Sequence, residues 1–249
     1  MYKRILIVFM SVVLSFILND LAYSESCVVS GIADFCGNAG DSVGGKYVVT
    51  LKKIEISKDG VNFITLGESS GTQINVAGLN VDTQFQAFVS NAQIPAGTYN
   101  YIRITLSRTF TIKGRAYEGG QYYYTTTQLG KISTPPYFYK AGRCSGWNPS
   151  TNEPSGAPGE TCPAYEEVSF KMPDDAEGYH PDTGETIEFV NGGQDARITQ
   201  KLPSPIVVTE GKSIVLKVKF YTQGMIGFDQ AGSDYIFFPT PPAQECEHE

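Results

Sequence analysis

The feature that most limits what this chain can fold into is an apolar alternation with a period of two. Between residues 99 and 113, Ile102, Ile104, Leu106, Phe110 and Ile112 share one parity. Arg103, Thr105, Ser107, Thr109, Thr111 and Lys113 share the other. Successive side chains of an extended strand point to opposite faces, so this spacing builds one oily face and one wet face. Arg108 breaks the apolar parity and marks the point where the strand bends or passes the core edge. Just upstream, Pro95-Ala96-Gly97 reads as a tight turn, with proline presetting one φ and glycine permitting a positive one.

The same logic recurs along the chain. Tyr47, Val49 and Leu51 alternate, then Ile54 and Ile56 alternate on the opposite parity, which predicts a β-bulge at Lys52-Lys53. Asp59-Gly60 supplies a hairpin turn into residues 63–66. Phe85, Ala87 and Val89 form another strand face, and Glu210-Gly211 turns the chain into a strand carrying Ile214, Leu216, Val218 and Phe220. Glycines number 26 and prolines 14, which suits many turns. No segment beyond the first two dozen residues holds a 3.6-residue apolar period. Short alternating strands at this density predict an all-β chain, an antiparallel β-sandwich.

The N-terminus has the make-up of a leader. Lys3 and Arg4 precede 14 apolar-rich residues, 5–18, then Asn19 and Asp20, and Ala22 and Ser24 stand two apart. Cleavage after Ser24 is expected, giving a signal peptide over 1–24 and a single domain over 25–249. The apolar stretch is too short for a comfortable span, and no later segment reaches spanning length, so no transmembrane segment is expected. Glu25 just before Cys27 argues against a lipid anchor there. Taking Lys3, Arg4 and Asp20 from the 19 basic and 26 acidic residues leaves 17 and 25, an acidic balance with scattered cations. Such a surface repels nucleic acid. The expected location is extracytoplasmic: periplasmic, cell-surface or secreted.

All five cysteines lie beyond the leader. An oxidising compartment makes disulfides the default, and neither C-x-x-C nor a Cys/His metal spacing occurs. Nearest-neighbour pairing would join Cys27 to Cys36 and Cys144 to Cys162, leaving Cys246 unpaired, although spacing alone leaves other pairings open.

From about 115 to 202 strand signals thin out and turn residues crowd in, so this tract reads as a long insertion between core strands. It carries Tyr122-Tyr123-Tyr124, Pro135-Pro136-Tyr137-Phe138-Tyr139 and a Gly/Pro/Ser-rich loop between Cys144 and Cys162 that holds Trp147. Tyr and Trp present large, rigid, amphipathic faces suited to sugars or proteins. The candidate binding residues are therefore Tyr122, Tyr123, Tyr124, Tyr137, Tyr139 and Trp147. The competing reading is that these rings pack as a satellite core.

Catalytic motifs are poor by comparison. Gly67-Glu68-Ser69-Ser70-Gly71 matches G-x-S-x-G, but its surroundings read as strand and turn rather than the strand-to-helix elbow that activates such a serine. His180 and His248 are the two imidazoles, too few for a zinc site once the cysteines are paired. Asp174, Asp175, Glu177 and Asp182 form a calcium candidate whose spacing fails the EF-hand pattern, so no cofactor is expected and calcium is the one ion to consider. The expectation is a non-enzymatic binding or assembly protein at or outside the cell surface, meeting a protein, a carbohydrate or its own copies. The alternative is a secreted hydrolase with an acidic site near the insertion.

Residues 48–66, V-V-T-L-K-K-I-E-I-S-K-D-G-V-N-F-I-T-L, then Ile94-Pro95-Ala96-Gly97-Thr98-Tyr99 and Ile102-Arg103-Ile104-Thr105-Leu106, resemble an uncharacterised bacterial exported domain family of unknown function, numbered four-three-eight-two. Residues 206–211 running into 214–220 resemble its later segment, with Lys219 and Tyr221 where that pattern carries acidic residues. The resemblance implies a transthyretin- or prealbumin-like β-sandwich and brings no activity with it.

Overall fold

A computed structural model describes residues 33–78, 94–133, 138–172, 174–180, 184–210, 216–221, 224–239 and 243–248, with backbone alone for 216–221 and 243–248. The expected signal segment 1–24, Cys27, the expected strand face of Phe85, Ala87 and Val89, Tyr137, Asp182, Gly211 and Ile214 lie outside the described residues.

In chain order the strands are β1 (Phe35–Gly37), β2 (Lys46–Ser57), β3 (Phe63–Asn75), β4 (Gly97–Ser107), β5 (Thr109–Lys113), β6 (Arg115–Glu118), β7 (Gln121–Tyr124), β8 (Tyr139–Lys140), β9 (Gly142–Cys144) and β10 (Trp147–Asn148). They continue as β11 (Glu153–Pro154), β12 (Val168–Lys171), β13 (Gly178–His180), β14 (Glu185–Val190), β15 (Asp195–Val208), β16 (Leu216–Tyr221), β17 (Ile226–Ala231), β18 (Asp234–Pro239) and β19 (Ala243–His248). Among the described residues the remaining regular elements are three short 3₁₀ turns, so the chain is all-β, and every strand pair is antiparallel.

The large sheet is built around the alternating segment 99–113. Strands β4 and β5 run as one line broken at Arg108. β2 lies along one side of both, pairing Ile56 with Ile102, Ile54 with Ile104 and Tyr47 with Ile112. The other side is shared: β15 pairs with β4 and β12 pairs with β5. β3 adds outside β2, and β14 then β13 add outside β15. The bulge expected at Lys52-Lys53 is present as a register shift between Leu51 and Lys53, and it returns Ile54 and Ile56 to the core side. The Asp59-Gly60 turn also forms, with Gly60 at φ 77° and the Asp59 carboxylate accepting the Val61 and Asn62 N–H groups at 2.9 and 2.8 Å.

Arg108 is 3% exposed, and the break it causes is where the sheet changes partners. Its N–H donates to Gln194 O and its carbonyl accepts from Met172 N, the two residues flanking the start of β15 and the end of β12. Its guanidinium donates to Gly193 O at 3.0 Å, to Met172 O, and to Asp174 Oδ1 at 2.6 Å, and lies 3.5 Å from the centre of the Phe189 ring. One forked cation thus satisfies the carbonyls exposed where two strands end against a third.

A second layer, β1-β17-β18-β8, packs over the β12-β5-β2 end of the large sheet. Ile226, Phe228 and Phe237 from this layer are fully buried with Tyr47, Phe110, Ile112, Val168 and Phe170 from the other. Phe35 stacks on Phe228 at 5.3 Å. This is the sandwich core. A second core under the opposite end gathers Ile54, Ile56, Tyr99, Ile102, Leu202, Ile206 and Val208.

The tract 115–202 divides in a way its turn-rich composition concealed. Residues 168–171, 178–180, 185–190 and 195–202 belong to the large sheet, whereas 115–167 leave it to form β6-β7-β9, β8 and the β10-β11 hairpin. Polar β-branched strands such as β14, E-T-I-E-F-V, carry a weak apolar signal because one face is solvated.

Replacing Arg108 with Met keeps the length and removes the fork, leaving two strand-end carbonyls without their donor. We expect the free energy of unfolding in urea to fall by about 2–4 kcal/mol at unchanged m. A loss below ~1 kcal/mol would show that water satisfies those carbonyls equally well.

Candidate recognition surface

Strand β7 is the hinge of the aromatic tract because its alternation sends neighbouring tyrosines to different cores. Tyr123 turns into the sandwich, 5.0 Å from Phe35 and 4.7 Å from Tyr235 between ring centres. Tyr124 turns the other way and is fully buried with Cys144 and Tyr165. Gly142 makes that possible, since a Cβ there would stand 2.3 Å from the Tyr124 ring. The Tyr124 hydroxyl donates to Pro163 O at 2.9 Å and the Tyr165 hydroxyl to Val43 O at 3.2 Å. Burial pushes both phenols well above their ordinary range, so they remain neutral donors.

Around these rings the tract grades outward. Trp147 meets Tyr165 at 5.1 Å, Tyr122 at 5.5 Å and Tyr124 at 5.7 Å, and its indole N–H donates to Asn152 Oδ1 at 3.2 Å. Tyr122 faces Tyr117 across the β6-β7 pair at 4.7 Å. The Arg115 guanidinium lies 4.2 Å from the Trp147 ring and 5.4 Å from Tyr122, and Lys113 lies 4.2 Å from Tyr165. Tyr117, Tyr122 and Trp147 stay partly exposed at the rim.

The expected disulfide Cys144–Cys162 is present, with Cα atoms 5.5 Å apart. It closes a loop that also carries its own polar clasp. Glu160 accepts the Ser145 and Ala157 N–H groups, each at 3.0 Å, and the Ser145 hydroxyl. Glu166 accepts the Thr127 N–H at 2.8 Å and its hydroxyl at 2.6 Å. These bonds, from Ser145 to Glu160 and from Thr127 to Glu166, hold both carboxyls below the ordinary carboxylate range. Within the loop, residues 148–151, 153 and 155–161 are exposed.

Of the six aromatic candidates, Tyr123 and Tyr124 are therefore interior residues, and Tyr139 packs between Phe170 at 5.7 Å and Phe237 at 6.1 Å. Among the described candidates the surface contracts to Tyr122 and Trp147, and it gains Tyr117 and Arg115. Parity on β6, where Arg115 and Tyr117 alternate with Ala116, was the readable signal for the added two. Cys36 is disulfide-bonded to a residue outside the described side chains. Cys246 lies on β19 opposite Val218.

The other candidates are dispersed. Ser69 sits inside β3, where its hydroxyl meets Leu51 O at 3.3 Å and Thr72 Oγ1 at 3.2 Å, and accepts the Gly71 N–H. His180 ends β13 and His248 ends β19, with side chains outside the described set. Asp174 pairs with Arg108, which lowers its pKa, and Glu177 accepts the Phe189 N–H at 2.9 Å, so these two members of the calcium candidate serve different partners. Asp175 is described by its backbone alone. Cys144, Glu160 and Cys162 converge, but both sulfurs are bonded to each other and the carboxylate is held by Ser145 and Ala157.

Fold and surface together define an antiparallel β-sandwich protein with a disulfide-stapled aromatic loop. The family model for a domain of unknown function, DUF4382, matches residues 45–223, and the chain belongs to that family. Searches of curated proteins and of solved structures find no match. Among the described residues no helix is long and apolar enough to cross a membrane, which says nothing of strands.

Because Glu160 and Glu166 have folded pKa values below their unfolded ones, their contribution is present above the ordinary carboxylate range. It is lost as pH falls through the depressed values. Acidification below ~4 should loosen the loop first. The emission of the single tryptophan, Trp147, should then shift red before the far-UV strand signal is lost. Simultaneous loss of both signals would show that the clasp has no local transition of its own.

Proposed function

We propose that the protein is exported, loses residues 1–24, and acts outside the cytoplasm as a non-enzymatic binding or assembly protein. The observation that carries this reading is the loop 144–162. A covalent staple, an aromatic base and a carboxylate clasp all fix its backbone, while most of its side chains between the cysteines remain exposed. Rigid loops on β scaffolds suit recognition, because ordering that precedes binding lowers the entropy lost on association. The leader-like N-terminus and the disulfides support an oxidising destination. The rival hydrolase reading finds two acids of the region, Glu160 and Glu166, already holding backbone N–H groups and hydroxyls, which lowers their pKa.

Expressed with its leader, the chain should be recovered oxidised with Glu25 as its first residue. Purified, it should associate with a partner or with itself in a concentration-dependent way by sedimentation velocity. Exchanging residues 148–153 for a Gly/Ser segment should weaken that association at least tenfold while leaving the β spectrum intact. Turnover of a glycoside or ester panel that a single carboxylate change abolishes would refute the reading. So would recovery of the reduced chain with its leader still attached.

A further inference from the structure

Most of the charges around the stapled loop are engaged by neighbours within the fold, and this narrows what the surface can recognise. Lys113 and Arg115 lie against the faces of Tyr165, Tyr122 and Trp147. Lys46 is bonded to Glu167 at 2.9 Å. Glu160 and Glu166 hold the clasp. Between the two cysteines the one other ionisable group is the exposed Glu153. Apart from Glu153, what the loop offers outward is neutral: Asn148, Ser150, Thr151, Ser155 and Thr161, each able to hydrogen-bond without a charge.

Beside these groups stands the row Tyr117, Tyr122 and Trp147, whose ring centres step by 4.7 and then 5.5 Å with planes turned 50° and 36° from one ring to the next. Its inner end is anchored on the buried Tyr124 and Tyr165. Among the described residues the large exposed hydrophobics are Val61, Leu129, Tyr179 and Val207, none within the loop, so an apolar peptide anchor has no matching ridge here. Part-exposed rings next to neutral amides and hydroxyls complement a surface that is itself apolar on its faces and hydroxylated on its edges.

From this we infer that the rim formed by Tyr117, Tyr122, Trp147 and the loop 148–155 binds an uncharged, hydroxyl-rich glycan. Sugar C–H faces lie against the rings, and the sugar hydroxyls exchange hydrogen bonds with the loop. The inference rests on the binding reading above and names the chemistry of its partner. It requires no anion site: Lys113 and Arg115 lie against ring faces, Lys46 is in an ion pair, and Arg143, exposed beside Cys144, hydrogen-bonds Tyr123.

The test uses native affinity gels of the oxidised protein cast with dextran, mannan, amylose or mixed-linkage β-glucan, with alginate and heparin as charged comparisons. Trp147, the chain's single tryptophan, reports the same contact by fluorescence titration. The expected result is retardation by at least one uncharged polymer and a saturable shift in Trp147 emission that persists in 1 M salt, where the Debye length falls to about 3 Å. Tyr117→Ala, at the open end of the row, should weaken it by about tenfold. Val61→Ser, on a distant hairpin and 77% exposed, should change nothing. No retardation by any of the four uncharged polymers with folded, oxidised protein overturns the inference. So does binding confined to alginate or heparin and lost in salt, or uncharged binding indifferent to both Tyr117→Ala and Tyr122→Leu. Loop-dependent association with a protein or a second copy, without glycan binding, removes this inference and leaves the binding reading standing.

Discussion

A strand that changes neighbours halfway along its length exposes carbonyls at the seam, and the sheet survives that exposure here because Arg108 fills it. The segment 99–113 is flanked on one side by β15 and then by β12, two strands that approach from different parts of the chain and stop against the same residue. Gly193 O and Met172 O both point at the break, and both receive a guanidinium N–H. A buried cation costs several kcal/mol when unpaired. Asp174, the Phe189 ring and the two carbonyls together offset that cost. Arg108 interrupts the core-facing parity because the seam needs a forked donor more than it needs another isoleucine.

The seam also explains how one chain supports two cores and an excursion. Because β5 continues past Arg108, it carries Phe110 and Ile112 to a part of the sheet where β12 replaces β15, and there the second layer packs. Residues 114–167 depart between those two strands. They must return to pair β12 with β5, so their ends are fixed by the sheet. Thr125 Oγ1 donates to Glu166 O at 2.7 Å and Glu166 N donates to Thr125 O, closing the base of the excursion before the disulfide closes its tip. The aromatic loop is thus held at both ends by strand geometry and in the middle by its own cluster.

Period-two patterning made the fold class readable, along with the Lys52 bulge and the Asp59-Gly60 turn, and nearest-neighbour spacing made the Cys144–Cys162 bond readable. Each of these depends on residues close in sequence. What escaped depends on distant partners. The β17-β18 hairpin, which supplies Phe228 and Phe237 to the core, has a legible alternation of Ile226 and Phe228 with Gly227 and Asp229, but nothing local says which layer it joins. Strands β12 and β14 look like loop because threonine, serine and glutamate occupy their solvent face. Parity on β6 puts Tyr117 on one face with Arg115, but the partners that make it a rim residue, Tyr122 opposite it and Trp147 beyond, are set by pairing across strands.

The outer face of the large sheet shows what keeps this arrangement in a single register. Glu55 is 4% exposed although it faces away from the core, and Arg103 on the neighbouring strand donates to it through two nitrogens at 2.8 and 2.9 Å. Lys53 adds a third contact at 3.2 Å, and Phe63 lies 3.7 Å from the Arg103 guanidinium. At the far end Asp195, fully buried, is met by Lys52 and by the Asn191 amide. A slip of one residue between β2 and β4 would carry Ile54 and Ile56 outward and drive Glu55 and Arg103 toward the oily side. Such ion pairs add little to the depth of the native well, since removing two charges from water nearly cancels their attraction. Their effect falls on the alternatives, which they make costly. A scaffold whose register is enforced from both faces holds the rim of the excursion in one place, and the proposed recognition surface, made mostly of neutral groups, depends on that, because it has little charge to draw a partner into position.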